Sequence, residues 1–384
     1  MCRLQLVVLI GLILLVLCGC GDQRVLERLG VTQTTSFDLA PQEEQKASPL
    51  LVISNSIPRP DSVGGNTNRE LLTATAHTSK EGRIKLARQT ELMLVSGQLR
   101  NTLFGISLAQ QGIWEHIDTF VRDTSISPRV KVTIVNGSAT QLLAQDYPQH
   151  SRTGQYLDRL LEKEADAQTI PEVSLYRFTK DYLDDGIDPV APIVKATGEH
   201  LTLDGIALFQ DDRYVTNIQP DQALIFAFLR GKFKHGEMNV NLSELGKENE
   251  QVMLSSVTSN NKIKITSADP ESNRILAEIS IMAKGSVLEY TGELRLDKPE
   301  DQQKLEKLIA QYIKLKAEEM IAMMQVNGVD SIGLGKYVRN KLGYERWKQL
   351  DWYKLYPSIK VNCHVSIRIK DYGKFVNVVE DIDQ

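Results

Sequence analysis

The stretch "SIKVNCHVSIRIK", Ser358 to Lys370, alternates over most of its length. Ile359, Val361, Cys363, Val365, Ile367 and Ile369 fall on one side of an extended chain. Ser358, Lys360, Asn362, His364, Arg368 and Lys370 fall on the other. A period of two marks a strand with one dry face and one wet face. The dry face needs a cover, so this strand predicts a sheet with helices packed against it. Cys363 belongs to the dry set and reads as a small core residue, not a nucleophile. Lys360, Arg368 and Lys370 make the wet side basic, and they are the candidate contacts for an acidic lipid or a protein partner.

The cover is legible upstream. From about Pro299 to Gln325, Leu305, Leu308, Ile309, Tyr312, Ile313, Met320, Met323 and Met324 form one stripe among charged residues. That spacing predicts an amphipathic helix about 40 Å long, its stripe facing a sheet. A second helix is expected from Ile332 into Leu342. "RILAEISIMAKG" alternates at Ile275, Ala277, Ile279, Ile281 and Ala283. "MNVNL", "VMLSSVTS" and "NKIKITS" before it read as further strands. "LTLDGIALFQDDRYVTNI" predicts a hairpin turning at "QDDR", and "PDQALIFAFLRG" a helix starting at Pro220.

The first half alternates strands and helices, which predicts a mixed α/β domain. "LLVISNSI", "ELMLVS" and "RVKVTIVNG" are expected strands. Residues 79–91, 155–164 and 172–183 are expected helices, and Ser138 caps a short one over "SATQLLAQ". The expected organisation is a signal segment over 1–19, a mixed α/β domain over 20–200, a middle domain over 201–256 and a C-terminal α/β domain over 257–384.

At the N-terminus, "LQLVVLIGLILLVLCG" is too short for a spanning helix, which needs about 20 apolar residues, and suits a signal segment. Leu17-Cys18-Gly19-Cys20 then has the form of a bacterial lipobox: an aliphatic residue, small residues, then cysteine. Cys18 is preceded by the bulky Leu17 and does not fit the cut. Cys20 is therefore the expected lipidation site, carrying diacylglycerol and palmitate. Each buried CH₂ adds ~0.8 kcal/mol of membrane binding, so two or three chains anchor stably.

Charge and motifs narrow the chemistry. With 45 basic and 49 acidic residues the net charge is −4, which gives no nucleic-acid footprint. G-x-S-x-G, H-E-x-x-H, the P-loop and the EF-hand loop are absent. "GLGKY" at Gly333 to Tyr337 lacks the third glycine of a dinucleotide fingerprint. "DYLDDGIDP" gathers Asp181, Asp184, Asp185 and Asp188; a helix end running into an Asx and Gly turn explains it better than a calcium loop. Trp347, Trp352 and Tyr356 read as an aromatic cluster pinning a helix to the sheet. No metal or cofactor is expected.

These segments together resemble the Ger(x)C (GerAC-like) family, the lipoprotein C-subunits of spore germination receptors. The likeness rests on the lipobox Cys20, on "SLAQQGIWEHIDTFVRDTSISPRVKVTIVNGSATQLL", on "GIALFQDDRYV", and above all on "DSIGLGKYVRNKLGYERWKQLDWYKLYPSIKVNCHVSIRI" with Gly333, Gly335, Trp347, Trp352 and Pro357. Gly21 stands where the family usually carries Trp. The resemblance implies a three-domain, non-enzymatic lipoprotein on the outer face of the spore inner membrane, acting with two integral membrane subunits of the same receptor. Two other classes differ in testable ways. A transporter's substrate-binding lipoprotein would show two similar lobes and an aromatic cleft. An envelope enzyme would show a cluster of perturbed acids and bases in one pocket.

Overall fold

A central run of parallel strands organises the first two hundred residues of this computed structural model. The structure describes residues 28–41, 50–59, 69–148, 150, 152–167, 169–269 and 274–372, so the expected signal segment and Cys20 lie outside the described residues. In chain order the elements are β1 (Leu29–Val31), β2 (Thr34–Leu39), β3 (Leu51–Pro58), β4 (Arg69–Ala76), α1 (Ser79–Ala87), β5 (Met93–Val95), β6 (Asn101–Gly105), α2 (Ile106–Gln111), α3 (Trp114–Val121), β7 (Lys131–Val135), α4 (Ala139–Ala144), α5 (Thr153–Asp166), α6 (Leu175–Leu183), β8 (Val190–Thr197), β9 (His200–Gln210) and β10 (Arg213–Ile218). Eight of the strands form one mixed sheet in the order β10-β9-β8-β7-β6-β2-β3-β4.

The sheet's middle is parallel, β2 to β6 to β7 to β8, and its flanks are antiparallel. Helices on the crossovers cover both faces of such a middle, so its strands are buried throughout rather than on alternate residues. β6, "NTLFG", is buried at every position. Asp38 at the end of β2 is buried and caps α4: its carboxylate accepts the Ala139 and Thr140 N–H at 2.8 and 2.7 Å and the Ser138 hydroxyl at 3.1 Å. Ser138 in turn accepts the Gln141 N–H, the expected cap.

The second half is built from α7 (Ala223–Arg230), β11 (Met238–Asn241), β12 (Gln251–Asp269), β13 (Arg274–Tyr290), α8 (Pro299–Val326), α9 (Leu334–Leu342), α10 (Tyr344–Trp347), α11 (Trp352–Leu355) and β14 (Lys360–Ile369). Its sheet runs β11-β12-β13-β14, with β13 and β14 parallel. α8 lays Leu305, Ile309, Ile313, Ala317, Met320, Ile321 and Met324 on the dry side. Each fully buried apolar side chain of this kind contributes roughly 1.5–3 kcal/mol. β14 buries Cys363, Ile367 and Ile369 and exposes Lys360, His364 and Arg368, the alternation its sequence carries, with Lys370 exposed just past its end.

Two sequence expectations shift. "VMLSSVTS" and "NKIKITS" are one strand, β12, and not two. Its polar middle looks like a turn, but register shifts at Ser255/Thr258 and Ile265/Ser267 absorb the irregularity, with Ser256 at φ 49°. The 200/201 and 256/257 boundaries fall inside β9 and β12. The hairpin β9–β10 completes the first sheet by pairing with β8.

Candidate functional site: an acidic clasp between the two sheets

The two segments that matched no motif, "DYLDDGIDP" and "GLGKY", meet in space. α6 ends at Leu183, and Gly186 turns the chain at φ 89°, where a Cβ would be strained. Asp188 follows, just ahead of Pro189. From the other side, α8 ends at Val326, Gly328 reverses the chain at φ 65°, and Asp330 arrives opposite Asp188. The Asp330 N–H donates to Asp188 Oδ2 at 2.6 Å, and the Asp188 N–H donates to the Asp330 carbonyl at 3.0 Å.

Asp330 is 1% exposed. Its Oδ1 accepts the Gly333 and Leu334 N–H at 2.9 and 2.8 Å; its Oδ2 accepts the Gly335 N–H at 2.7 Å and the Trp352 indole N–H at 3.2 Å. The carboxylate thus satisfies the open end of α9, where the helix dipole favours negative charge. Asp188 Oδ1 accepts the Asp211 N–H at 3.2 Å and the Tyr353 hydroxyl at 3.0 Å. The same hydroxyl lies 2.8 Å from Asp211 Oδ1, so one phenol proton faces two carboxylates. Burial is the largest influence on both acids. It pushes Asp188 up to about 6 against the opposing pull of its N–H donors, and Asp330 up to about 7. Burial and the two nearby carboxylates raise the Tyr353 phenol.

The backbones touch where the glycines stand. A Cβ on Gly335 would lie 2.6 Å from Gly186 Cα, and one on Gly186 would lie 2.5 Å from the Gly335 carbonyl carbon. The contact is closed by the Lys336 N–H donating to the Gly186 carbonyl at 3.0 Å. "GLGKY" is therefore a packing motif. Trp347, Trp352 and Tyr356 pack in series behind the clasp, with ring centroids 5.3 and 5.6 Å apart and planes tilted by 44° and 48°. A cavity of about 660 Å³ opens beside it, bordered by Tyr182, Asp185, Asp211, Trp352 and Tyr353.

The acids of "DYLDDGIDP" do not converge. Asp181 pairs with Arg230 at 2.5 Å, Asp184 with Arg339 at 2.8 Å, and Asp188 turns to Asp330. Among the described residues no group of three or more His, Cys, Asp or Glu is placed to hold a metal ion. Cys363 is buried, and burial pushes its thiol up to about 12. Lys360 and Arg368 stand exposed on β14, the edge strand of its sheet, and Lys370 stands exposed just past its end; none of the three takes part in the clasp. Sequence reasoning missed Asp188 and Asp330. The available signals were an Asp directly before a proline, and an Asp three residues ahead of a glycine that opens a helix.

The chain is similar to known proteins along nearly its whole length. Residues 22–196 match the family model described as "Spore germination protein N-terminal domain", and residues 204–373 match "Spore germination B3/ GerAC like, C-terminal". The spore germination protein GerQC of Bacillus cereus is 24% identical over 357 residues, covering 93% of this chain and 96% of GerQC. YfkR of Bacillus subtilis (strain 168) is 20% identical over 375 residues, covering 94% and 95%. The crystal structure of the GerBC protein shares the fold, with a TM-score of 0.58 at 14% identity, covering 88% of this chain and 97% of that one. Among the described residues no helix is long and apolar enough to cross a membrane.

Proposed function

The chain belongs to the Ger(x)C family of spore germination proteins, and from that membership we propose that it is the lipoprotein subunit of a spore nutrient germination receptor. The observation that carries the reading is the pair of family matches, which run almost end to end over 22–196 and 204–373. In this reading Cys20 bears the lipid, and the body lies on the outer face of the membrane beside two integral membrane subunits. Its work there is assembly and response to germinant, without chemistry of its own; the perturbed acids Asp188 and Asp330 lie beside a cavity, but their oxygens are occupied by backbone N–H groups, the Trp352 indole and the Tyr353 hydroxyl. The clasp supports a body that moves as one piece, since Asp188 and Asp330 tie the two sheets together through buried hydrogen bonds. It fits a hinged, two-lobed binding protein poorly, because the two sheets differ in size and strand order.

The test is Cys20→Ala in the native spore former, followed by membrane fractionation and a nutrient germination assay. The expected result is release from the membrane fraction and slower germination. Normal germination with a fully soluble variant would remove the anchor from the proposal. Normal germination after deletion of the whole gene, under every nutrient its receptor complement answers, would remove the receptor role.

A further inference from the structure

The wet face of the second sheet carries more charge than β14 alone reveals. Register places residues of three strands in rows: Thr258, Lys284 and Arg368; Asn260, Met282 and Ser366; Lys262, Ser280 and His364; Lys264, Glu278 and Asn362; Ser267, Leu276 and Lys360. Lys370 continues the same side of β14. The face therefore holds Lys262, Lys264, Lys284, Lys360, Arg368 and Lys370, all exposed, and within these rows Glu278 is the one acid. This sits on a chain whose net charge is −4.

Two further observations set the face apart. Cations elsewhere are commonly paired, as in Arg59 with Glu70, Lys131 with Asp158, Lys195 with Asp204 and Lys316 with Glu244. Among the described residues none of the six on this face has an ion-pair partner. Lys284 and Arg368 are direct cross-strand partners, and like charges placed opposite one another destabilise a sheet. Folding does not explain that arrangement; an external anion does.

We infer that this face docks on the anionic headgroups of a lipid bilayer. The choice of lipid over an acidic protein follows from the residues. Five of the six cations are lysine, and no aromatic residue stands in the rows. Protein interfaces are depleted of lysine and anchored by Tyr, Trp and Arg in pockets. Lysine acts as a hydrated point charge, suited to a diffuse anionic plane, and each one near such a surface adds attraction within a Debye length. The face also exposes the Met282 side chain (48% exposed), an apolar tip set among the charges. This inference rests on the membrane location proposed above, which it deepens by giving the body a second contact besides the lipid.

The experiment uses the chain from residue 20 onward with Cys20→Ala, so that no acyl chain contributes. Sedimentation with phosphatidylcholine vesicles is compared with vesicles containing about a third phosphatidylglycerol. Binding is expected only to the anionic vesicles and is expected to fall steeply as salt rises. The triple variant Lys262→Glu, Lys284→Glu, Arg368→Glu should lose at least roughly tenfold in binding. A matched triple of exposed lysines elsewhere, Lys232→Glu, Lys247→Glu, Lys341→Glu, carries the same charge change and should retain most of it. Thermal melts check that both variants fold. Absence of binding to anionic vesicles, or equal loss in both triples, overturns the inference, and an acidic protein partner then becomes the reading of the face. Because the lipid is absent, failure here leaves the Cys20 fractionation result untouched.

Discussion

Asp188 and Asp330 hold each other twice: the Asp330 N–H donates to Asp188 Oδ2 at 2.6 Å, and the Asp188 N–H donates to the Asp330 carbonyl at 3.0 Å. A residue from the first sheet's side thereby completes the main-chain hydrogen bonding of a residue at the end of the long helix on the second. The consequence is energetic, because Asp330 also holds three N–H groups of α9 and the Trp352 indole. Asp330→Ala would orphan three buried donors, the Leu334 and Gly335 N–H and the Trp352 indole, while Gly333 keeps its bond to the Asp330 carbonyl; it is expected to cost roughly 3–5 kcal/mol in urea unfolding. Asp330→Asn should also destabilise, since either amide orientation turns an NH₂ toward two donors. A cost under about 1 kcal/mol for the alanine variant would show that water replaces the carboxylate.

The clasp also predicts a pH dependence. Burial raises Asp188 to about 6 and Asp330 to about 7, above the ~3.9 of an unfolded aspartate. The folded chain thus binds these protons more tightly than the unfolded chain does. The stability they contribute is present below pH about 4 and is lost as pH rises through 6 and 7. The unfolding free energy from urea titrations should therefore fall between pH 5 and pH 8, by an amount on the order of 4 kcal/mol. Asp188→Asn should flatten that slope. An equally steep slope in the variant would place the titrating groups elsewhere.

Two tyrosines of one short segment separate a used hydroxyl from an idle one. Tyr353 donates toward Asp188 and Asp211. The Tyr356 hydroxyl is buried and has no hydrogen-bond partner among the described residues. Tyr353→Phe should cost about 1–2 kcal/mol, whereas Tyr356→Phe should be neutral or slightly stabilising. Chemical denaturation of the two variants side by side reads the difference, and equal costs would contradict the geometry.

The glycine contact is equally specific. Gly335→Ala puts a Cβ 2.6 Å from Gly186 Cα, where backbone and not a flexible side chain must give. It should destabilise by roughly 2–3 kcal/mol. Gly231→Ala meets nothing within 4 Å and serves as the control, with a change of about half a kcal/mol or less. Comparable losses at both positions would mean that helix-end entropy, and not the close approach, sets the cost.

What was legible in the sequence was periodic. The stripe of α8, the alternation of β13 and β14, the Ser138 cap and the "QDDR" turn are local patterns, and each element stands where its pattern put it. What stayed hidden was long-range. Asp188 and Asp330 lie 142 residues apart, and no spacing rule joins them. β12 looked like two strands because a bulge and a turn share the same Ser and Asn chemistry. The candidate contacts Lys360, Arg368 and Lys370 were visible in one strand. Lys262, Lys264 and Lys284 joined them only through register, which one strand's sequence does not contain.

That register supplies the last prediction. Lys284 and Arg368 face one another on adjacent parallel strands with Thr258 completing the row, so the pair repels without a neighbouring acid to relieve it. A face selected for folding alone would not keep this arrangement. Lys284→Glu turns repulsion into attraction and should raise the thermal midpoint by roughly 1–2 °C. The same substitution should weaken sedimentation with phosphatidylglycerol vesicles, because it removes one positive charge from the face and adds a negative one. Gain in stability with loss of binding is the signature of a charge kept for an external partner. A variant that is less stable, or that binds vesicles as well as the parent, would show that Lys284 is retained for some other reason.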